Sequence, residues 1–482
     1  MEIYSNSVPL KNFLEITYDL LEQLNLEAKE KRMNGSKEKE TKDYYLSYLK
    51  KEKRIKAVTI GFSDIEGRFH MLDYDKKFFL SSYDNLTFDG SSIRGFSRQA
   101  ESDLRLKIDW GAFWFLPSDV FGPGKVLMMG EVFGQDGEPY EMDTRGLLKA
   151  FVKKMKKEKG YTFFAANEIE GFLLKGEDAE KNYNERLGFE IAARGGYYHS
   201  LPGDILRTFI DRTAEAQRAL GFENEKDHPE VAPSQFELNY SYSEVVNAAD
   251  QIQLYKLVAR QVARNMGMTA TFLPKPIVGI NGSGMHTNIS IAQRGKNLFY
   301  EKSERGQLSK LGWDMVNRIL SSAGDICLLL NSSVNSYRRL DPHFEAPNEI
   351  KVSEVDRGAM IRIPLFNERS SRIEVRSVGP DANPYLVMYS LLRVGLEGPI
   401  KRNNNQKRVR VRYLPSNIQT AISQFRQSDM VTKLFGEEFK SKFVELKQLT
   451  AERSPFALGV KVKNSEVLYH HEVYNQMLWN DF

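Results

Sequence analysis

The chain has a single cysteine, Cys327, among its 482 residues. One cysteine excludes a disulfide within the chain and a zinc site built from several cysteines. Because it lies in the apolar run Ile326-Cys327-Leu328-Leu329-Leu330, we interpret it as a buried core thiol rather than a nucleophile. The sequence also lacks an apolar segment long enough to cross a membrane, and its start, Met1-Glu2-Ile3, is not typical of a signal peptide. We therefore expect a reduced, cytoplasmic protein.

Excess charge of one sign is missing too. The net charge is only +4, so bulk electrostatics gives no support to a role in nucleic-acid binding. Neither the P-loop pattern nor the glycine-rich loop of protein kinases occurs, so a nucleotide would need a site of another kind. Hydrophobic residues make up 41% and charged residues 27% of the chain, which is ordinary for a folded protein, and the length allows two or three domains.

The order of patterns along the chain predicts three parts and an α+β fold. Residues 1–54 read as a helical N-terminal extension, with an amphipathic helix followed by a solvated, Lys- and Glu-rich segment. Short strands separated by glycine turns predict a small β-rich domain over residues 55–142. Asp143 then caps a helix that opens a larger domain over residues 143–482. In that domain we predict one helix over 308–330 and a loop over 335–340.

The stretch Asn281-Gly282-Ser283-Gly284 suits a binding site. Its two glycines allow positive φ and a close approach to a ligand. His286 then opens a strand on which His286, Asn288 and Ser290 share one face. A hairpin turn with a hydrogen-bonded histidine explains this stretch equally well, because such glycine turns are common.

Acidic residues recur on strands at spacings that bring them together. Glu168 and Glu170 are two residues apart and point to one face of a predicted strand, about 7 Å from each other. Such a pair repels unless a cation lies between. A hairpin around Ala232-Pro233-Ser234 would bring Glu230 next to Glu237.

These acids join one histidine and several arginines in a single inventory. Each member alone is more often part of a surface salt bridge. Together, carboxylates with one imidazole suit Mg²⁺ or Mn²⁺, and arginines grip phosphate and carboxylate groups, which predicts phosphoryl transfer. The inventory is Glu168, Glu170, Glu230, Glu237, Glu345 and Glu374, with His286, Arg339, Arg357, Arg362, Arg372 and Arg376.

An ordered set of motifs resembles glutamine synthetase of the bacterial and archaeal type I. The set comprises Phe88-Asp89-Gly90-Ser91-Ser92-Ile93, Glu168-Ile169-Glu170, Glu230-Val231-Ala232-Pro233 with Glu237, Asn281 to His286, Asn335-Ser336-Tyr337 with Arg339, Glu345-Ala346-Pro347, and Arg372-Ile373-Glu374-Val375-Arg376. The resemblance implies an N-terminal β-grasp domain and a catalytic domain with a curved antiparallel sheet flanked by helices. It also implies a dodecamer of two hexameric rings with active sites between subunits.

The resemblance assigns roles to individual residues. One cation would be held by Glu170, Glu230 and Glu237, and a second, at the ATP phosphates, by Glu168, His286 and Glu374. The other implied roles are phosphate binding by Arg357, Arg362 and Arg372, glutamate binding by Arg339, Arg376, Asn281 and Gly282, ammonium binding and deprotonation by Asp89 and Asp103 of a neighbouring subunit, closure of a flap by Glu345, lining of the nucleotide pocket by Glu225 and Ser290, and feedback sensing of glutamine by Arg98.

The implied reaction is ligation of ammonia to the side chain of glutamate, driven by ATP through a γ-glutamyl phosphate. Departures from the family pattern keep two alternatives open, a ligase that uses an organic amine and a catalytically silent homologue. The family's double histidine is His228-Pro229 here, and the segment before the flap glutamate is Asp341-Pro342-His343-Phe344. Retention of every metal-binding position opposes the silent homologue.

Overall fold

The computed structural model describes residues 16–33, 37–180, 188–199, 202–340, 346–364, 367–400 and 411–452. Two β-sheets form its framework, one from strands between residues 57 and 133 and one from strands between residues 161 and 375, with most helices around the second sheet. We call the parts of the chain before and after residue 143 its first and second halves. This confirms the α+β prediction. Within these ranges no helix combines the length and the apolar content that a membrane span requires. The predicted division into residues 1–54, 55–142 and 143–482 stays a prediction.

The strands are β1 (Ala57–Ser63), β2 (Phe69–Asp75), β3 (Leu86–Asp89), β4 (Asp103–Phe115), β5 (Lys125–Phe133), β6 (Tyr161–Lys175), β7 (Asn224–Pro229), β8 (Gln235–Tyr240), β9 (Ser243–Glu244), β10 (Met268–Thr271), β11 (Met285–Gln293), β12 (Lys296–Asn297), β13 (Glu349–Ser353), β14 (Ala359–Arg362) and β15 (Ile373–Val375).

The helices are α1 (Tyr18–Met33), α2 (Glu38–Lys51), α3 (Lys76–Ser82), α4 (Ser118–Phe121), α5 (Thr144–Lys159), α6 (Ile205–Ala219), α7 (Val245–Asn265), α8 (Lys310–Ser321), α9 (Ala323–Leu330), α10 (Val334–Arg339), α11 (Pro384–Glu397), α12 (Ile418–Gln427) and α13 (Asp429–Glu452).

The first sheet has the order β2-β1-β5-β4-β3, with β1 and β5 parallel and the other neighbours antiparallel. Strands β1 and β2 form a hairpin, joined by a turn in which Gly67 has φ +92°. A side chain at Gly67 would meet the backbone of Asn383 at 2.7 Å. The side-chain amide of Asn383 in turn donates to the carbonyl oxygens of Asp64 and Ile65 at 3.2 Å each. The turn is therefore a contact between the two halves of the chain.

The N-terminal extension packs on the first sheet through the apolar faces of α1 and α2, whereas residues 37–40 of its predicted solvated segment are exposed. Leu21 of α1 and Leu49 of α2 are fully buried, and Tyr45 stacks on Phe113 of β4 with ring centroids 4.0 Å apart. The buried Asn25 bonds to β4 and also to the carbonyl oxygen of Ala219 at the end of α6. Helix α1 thus braces the first sheet against the second half of the chain, which the charged composition of the segment does not reveal.

The second sheet follows the order β13-β14-β15-β11-β6-β8-β7 and is antiparallel except for β13 and β14, which run parallel. Along the central strand β6, Phe163, Ala165 and Ile169 are buried, whereas Glu168 and Glu170 alternate with them and face the other side. Helices α5 and α7 contact β6. The predicted placement of both glutamates on one face is confirmed, and that face carries the candidate site.

Two predictions for the second half are wrong. The helix predicted over 308–330 is two helices, α8 and α9, which meet at the buried Ser322, whose φ of −107° and ψ of 14° are not helical. The break lets α8 pack on α11 while α9 packs on α12. Residues predicted as a loop form the short helix α10, which starts where the Ser333 hydroxyl oxygen accepts from the backbone N–H of Ser336 at 3.1 Å.

Candidate active site

A polar pocket of about 270 Å³ opens on the face of the second sheet that carries Glu168 and Glu170. It brings together most of the acids and arginines that the sequence predicted. Its predicted members are Glu168, Glu170, Glu230, Glu237, Asn281, Gly282, His286, Arg339, Arg357, Arg362, Arg372 and Arg376.

Strand register places one group of three ligands in this pocket. His286 of β11 pairs with Glu168 of β6, and the next inward position of β11, Asn288, pairs with Glu374 of β15. The His286 Nδ1 atom lies 3.5 Å from a carboxylate oxygen of Glu168 and 3.9 Å from one of Glu374. We call Glu168, His286 and Glu374 the His286 cluster; the donor atoms that they offer lie within 4.8 Å of one another.

A second group forms on the neighbouring hairpin. His228 of β7 pairs with Glu237 of β8, and Glu230 follows directly after β7. The ring nitrogens of His228 lie 3.6 Å from a carboxylate oxygen of Glu230 and 3.7 Å from one of Glu237. We call these three residues the His228 cluster, whose donor atoms again lie within 4.8 Å of one another. The predicted approach of Glu230 to Glu237 is confirmed.

Glu170 lines the pocket but, among the described residues, belongs to neither cluster. It pairs with Glu237 across β6 and β8. One of its oxygens accepts from the backbone N–H of Gly284 at 2.7 Å and from the side-chain amide of Gln235 at 3.4 Å. These donors hold the Glu170 carboxylate beside the His228 cluster.

The close spacing of these acids shifts their pKa values. Burial and then the charge of Glu170 raise the pKa of Glu230 to about 7, and the same two causes raise the pKa of Glu237 well above its usual value. For Glu168 burial acts in the same direction, but the neighbouring His286 imidazole and the hydrogen bond from Asn288 together outweigh it and lower the pKa to about 2. Burial also lowers the pKa of His228. Neighbouring carboxylates repel one another when all are ionised, and a bound divalent cation relieves that repulsion.

The donor set fits hard divalent cations. Each cluster offers two carboxylates and one imidazole, and Nδ1 of His286 and Nε2 of His228 are buried without a hydrogen-bond partner in the described part of the chain. Oxygen-rich groups with a single imidazole suit Mg²⁺ and Mn²⁺. The residues present therefore fit the cations that the sequence predicted.

Arginines from the last strands surround the His286 cluster. Arg362 and Arg376 donate to opposite oxygens of the buried Glu374 at 2.5 Å and 2.6 Å. Arg372 donates to the side-chain oxygen of Asn288 at 3.0 Å, and Arg339 donates to the backbone oxygen of Arg376 at 2.9 Å. The unused N–H groups of these guanidinium ions form a positive wall suited to phosphate and carboxylate groups.

The glycines around Ser283 serve close packing rather than positive φ. Neither Gly282 nor Gly284 is among the residues with positive φ, so that expectation is wrong. A Cβ atom at Gly284 would lie 2.5 Å from Nη2 of Arg339, and one at Gly282 would lie 2.5 Å from the backbone oxygen of Pro274. Both positions must lack a side chain for Arg339 to reach the pocket.

Several predicted site residues lie elsewhere. Asp89 and Asp103 pair across β3 and β4 in the first sheet, both exposed. Arg98 lines a separate cavity of about 1160 Å³ between the first sheet and α13. Glu225 lies exposed at an irregularity of β7, and Ser290 is half-buried on β11. Glu345 and the segment 341–344 lie outside the described residues.

Sequence reasoning missed two residues that line the pocket, Tyr197 and Lys226. Asn288, which was predicted to share a strand face with His286, joins Glu168 to Arg372 through its side chain. Lys226 alternates with His228 and Glu230, so the period-two rule that located the glutamates would also have found it. Tyr197 follows a glycine turn without periodicity, and no sequence signal marked it.

Comparison with known proteins agrees with this geometry. The chain matches the family of the glutamine synthetase catalytic domain over residues 141–462 and that of the glutamine synthetase β-grasp domain over residues 54–135. Glutamine synthetase of Thermus thermophilus is 35% identical over 435 residues, which cover 85% of this chain and 95% of the relative. Glutamine synthetase of Thermotoga maritima is 34% identical over 414 residues, covering 82% and 92%.

A solved structure shares the fold. The cryo-EM structure of Plasmodium falciparum glutamine synthetase superimposes with a TM-score of 0.75 at 21% identity and covers 84% of this chain and 95% of that one. Two matching domain families, relatives above 30% identity over most of the chain, and a pocket built on the predicted motifs agree with one another. The chain belongs to the glutamine synthetase family.

Proposed function

We propose that the protein catalyses the ATP-dependent ligation of ammonia to the side-chain carboxylate of L-glutamate, through a γ-glutamyl phosphate, to give L-glutamine, ADP and phosphate. One observation carries the proposal: two clusters of carboxylates with an imidazole face a wall of arginines in a single pocket. Phosphoryl transfer depends on positioning and on neutralising charge, and this pocket has the groups for both. A cytoplasmic location, expected from the sequence, is part of the proposal.

The two clusters would hold the divalent cations, Mg²⁺ or Mn²⁺. Glu168, His286 and Glu374 would bind the cation at the ATP phosphates, and Glu170, Glu230 and Glu237 would bind the cation at glutamate. Bound cations would withdraw charge from the oxygens of the transferring phosphoryl group. Without them the acids would repel both substrates, so catalysis requires occupied clusters.

The arginines would orient the two anionic substrates. Arg362 and Arg372 would bind the ATP phosphates, and the exposed Arg357 would reach the transferring γ-phosphoryl group. Arg339 and Arg376, with Asn281 and Gly282, would bind glutamate. Because Arg339 is buried and Glu374 holds Arg376, both guanidinium groups are positioned before a substrate arrives.

Ammonium binding would come from a second subunit. Asp89 and Asp103 are paired across two strands but lie outside the pocket of their own chain. Their exposure supports a role in the pocket of a neighbouring copy, where they would bind ammonium and take its proton. We therefore propose a homo-oligomer with active sites between subunits, a dodecamer of two hexameric rings.

The remaining assignments complete the proposal. Glu345 would close a flap over the acyl phosphate and exclude water, Glu225 and Ser290 would line the nucleotide pocket, and Arg98 would sense glutamine. The family membership and the retained acids favour ammonia over an organic amine as the acceptor. The five acids and one histidine whose retention opposes a silent homologue lie around one pocket.

Phosphate release tests the proposal. Purified protein with ATP, Mg²⁺ and glutamate should release phosphate quickly with ammonium and slowly with a panel of organic amines. Glu374→Gln should abolish release, whereas Glu368→Gln, at an exposed position near the same strand, should leave it unchanged. Phosphate release with an organic amine but not with ammonium would make the organic amine the acceptor. If an assembled oligomer releases no phosphate with ammonium or any amine, the enzyme assignment is wrong.

A further inference from the structure

We propose that a buried ion cluster, distant from the pocket in the sequence, positions Asp89 to bind ammonium. Its members, which we call the Glu66 cluster, are Glu66, Arg68, Arg94 and Lys447. Glu66 lies in the turn between β1 and β2, Arg94 in the segment 90–98 that follows β3, and Lys447 on α13. The inference rests on the ammonium-binding role proposed above for Asp89, and it makes the members of the cluster positioning residues.

One buried carboxylate joins three cations in this cluster. The Glu66 side chain is only 1% exposed, and one of its oxygens accepts from Nζ of the equally buried Lys447 at 2.8 Å. The carboxylate also lies 3.4 Å from Nε of Arg94 and 3.9 Å from Nη2 of Arg68. Burial alone would raise the pKa of Glu66, but the charges of Lys447, Arg94 and Arg68 lower it below its usual value. The carboxylate is therefore ionised and holds these cations.

The turn that carries Glu66 is itself fixed. The side chain of Asp64 accepts from the backbone N–H groups of Glu66 at 2.9 Å and Arg68 at 3.0 Å. Asn383, from the second half of the chain, donates to the backbone oxygen of Asp64 at 3.2 Å and packs against Gly67. Because the turn is held by the second half of the chain, Glu66 is a fixed point for the segment.

Packing holds the segment on two sides as well. Gly95 has φ +83°, and a side chain there would lie 2.6 Å from Ile65 of the turn and 2.8 Å from Leu446 of α13. The backbone oxygen of Phe96 accepts from Nζ of Lys442, one helical turn before Leu446. The turn between β1 and β2 and helix α13 thus clamp the backbone on either side of the ion pair.

Two serines of the segment orient the Asp89 carboxylate. One of its oxygens accepts from the backbone N–H and the hydroxyl of Ser91 at 2.9 Å and 2.6 Å, and the other accepts from the hydroxyl of Ser92 at 2.5 Å. The backbone N–H of Ile93 closes the short helical turn that contains both serines. Arg94 follows this turn directly, so displacing Arg94 would move the serines and rotate the Asp89 carboxylate away from ammonium.

Arg94→Met tests the proposal, because it releases the segment from Glu66 while Glu66 stays bonded to Lys447. In the phosphate assay we expect KM for ammonium to rise at least about fivefold and KM for glutamate and ATP to change less than about twofold. Removing a positive charge near an ammonium site would by itself lower KM for ammonium, so the sign of the change separates positioning from simple electrostatics. Arg94→Lys keeps the charge and should restore most of the wild-type KM.

Arg105→Met is the matched control, because Arg105 is exposed on β4 and donates to Asn85 outside the cluster. It should not raise KM for ammonium. Lys447→Met should raise it as Arg94→Met does, whereas Lys433→Met, at an exposed position of the same helix, should leave it unchanged. If Lys447→Met fails to fold, Arg94→Met decides the matter by itself. A KM for ammonium that stays unchanged in Arg94→Met, or rises equally in Arg105→Met, would overturn the proposal.

Hydrogen exchange measured by mass spectrometry reports on the segment without any substrate. The backbone N–H groups of Ile93 and Phe96 are hydrogen-bonded within the segment, and Arg94→Met should speed their exchange at least about tenfold while exchange in α7 stays unchanged. The mass of the oligomer is measured in parallel. Loss of assembly in Arg94→Met would overturn the proposal, because the cluster would then act on the contact between subunits rather than on Asp89.

The two assays separate this inference from the proposed function. A wild-type protein that releases no phosphate with ammonium would refute the function, and unchanged exchange in Arg94→Met would then refute the positioning by the Glu66 cluster as well. An active enzyme in which Arg94→Met changes neither KM for ammonium nor exchange in the segment would refute only the positioning.

Discussion

Replacing Asn25 by leucine should destabilise the protein strongly, because this side chain ties α1 to both halves of the chain. Its amide donates to the backbone oxygens of Phe115 at 2.9 Å and Ala219 at 2.7 Å, and its oxygen accepts from the backbone N–H of Phe115 at 2.8 Å. Leucine has a similar volume but leaves all three buried backbone groups without a partner. Each such group costs about 1–3 kcal/mol, so we expect a loss of about 3–5 kcal/mol in the free energy of unfolding.

Urea unfolding followed by circular dichroism and tryptophan fluorescence measures this loss. Gln23→Leu is the matched control, since Gln23 is exposed on the same helix and bonds only to Glu27 among the described side chains. It should change the free energy of unfolding by less than about 0.5 kcal/mol. If Asn25→Leu and Gln23→Leu unfold at the same urea concentration, the three hydrogen bonds of Asn25 do not stabilise the protein and α1 does not hold the two halves of the chain together.

Three other perturbations have defined outcomes. Arg145→Met should cost about 3–5 kcal/mol of unfolding free energy in urea, because it leaves the buried Asp250 without an ion-pair partner and leaves Asp109 with Lys149 alone. Lys310→Met, at an exposed helix pair, should cost less than about 0.5 kcal/mol. Gly284→Ala should displace Arg339 and raise KM for glutamate at least about tenfold in the phosphate assay; an unchanged KM would contradict the close-packing argument. Burial and a neighbouring carboxylate raise the pKa of Glu230 from 4.5 to about 7, so the stability that this group contributes is complete below pH 4.5 and lost as pH rises through 7. Thermal melting in EDTA should show that fall, Mn²⁺ should reverse it, and a flat profile in EDTA would refute the assignment.

Local periodicity explains what could be predicted from the sequence. Alternation along β6 placed Glu168 and Glu170 on one face, and the hairpin around Ala232-Pro233-Ser234 brought Glu230 to Glu237. Both follow from the two-residue period of a strand and the length of a turn, which neighbouring residues determine. The roles assigned to these residues in substrate binding stay predictions.

Tertiary contacts explain what could not be predicted. The break at Ser322 depends on α8 and α9 packing against different helices, which the continuous apolar pattern does not encode. The glycines beside Ser283 were explained by backbone φ, but the space they leave belongs to Arg339, more than fifty positions further along the chain. His228 was noted only as a departure from the family pattern, and its ring orientation depends on Pro229 and two tyrosines.

The register of β6 has a consequence for how this family can change. Between residues 163 and 170 the two faces of the strand differ, with core residues on one side and the pocket glutamates Glu168 and Glu170 on the other. Inserting or deleting one residue before Glu168 would turn both glutamates into the core and bring Ile169 to the pocket. We therefore expect β6 to tolerate substitutions far better than insertions or deletions. Natural insertions in this family should accumulate in the loops after β6 rather than within it.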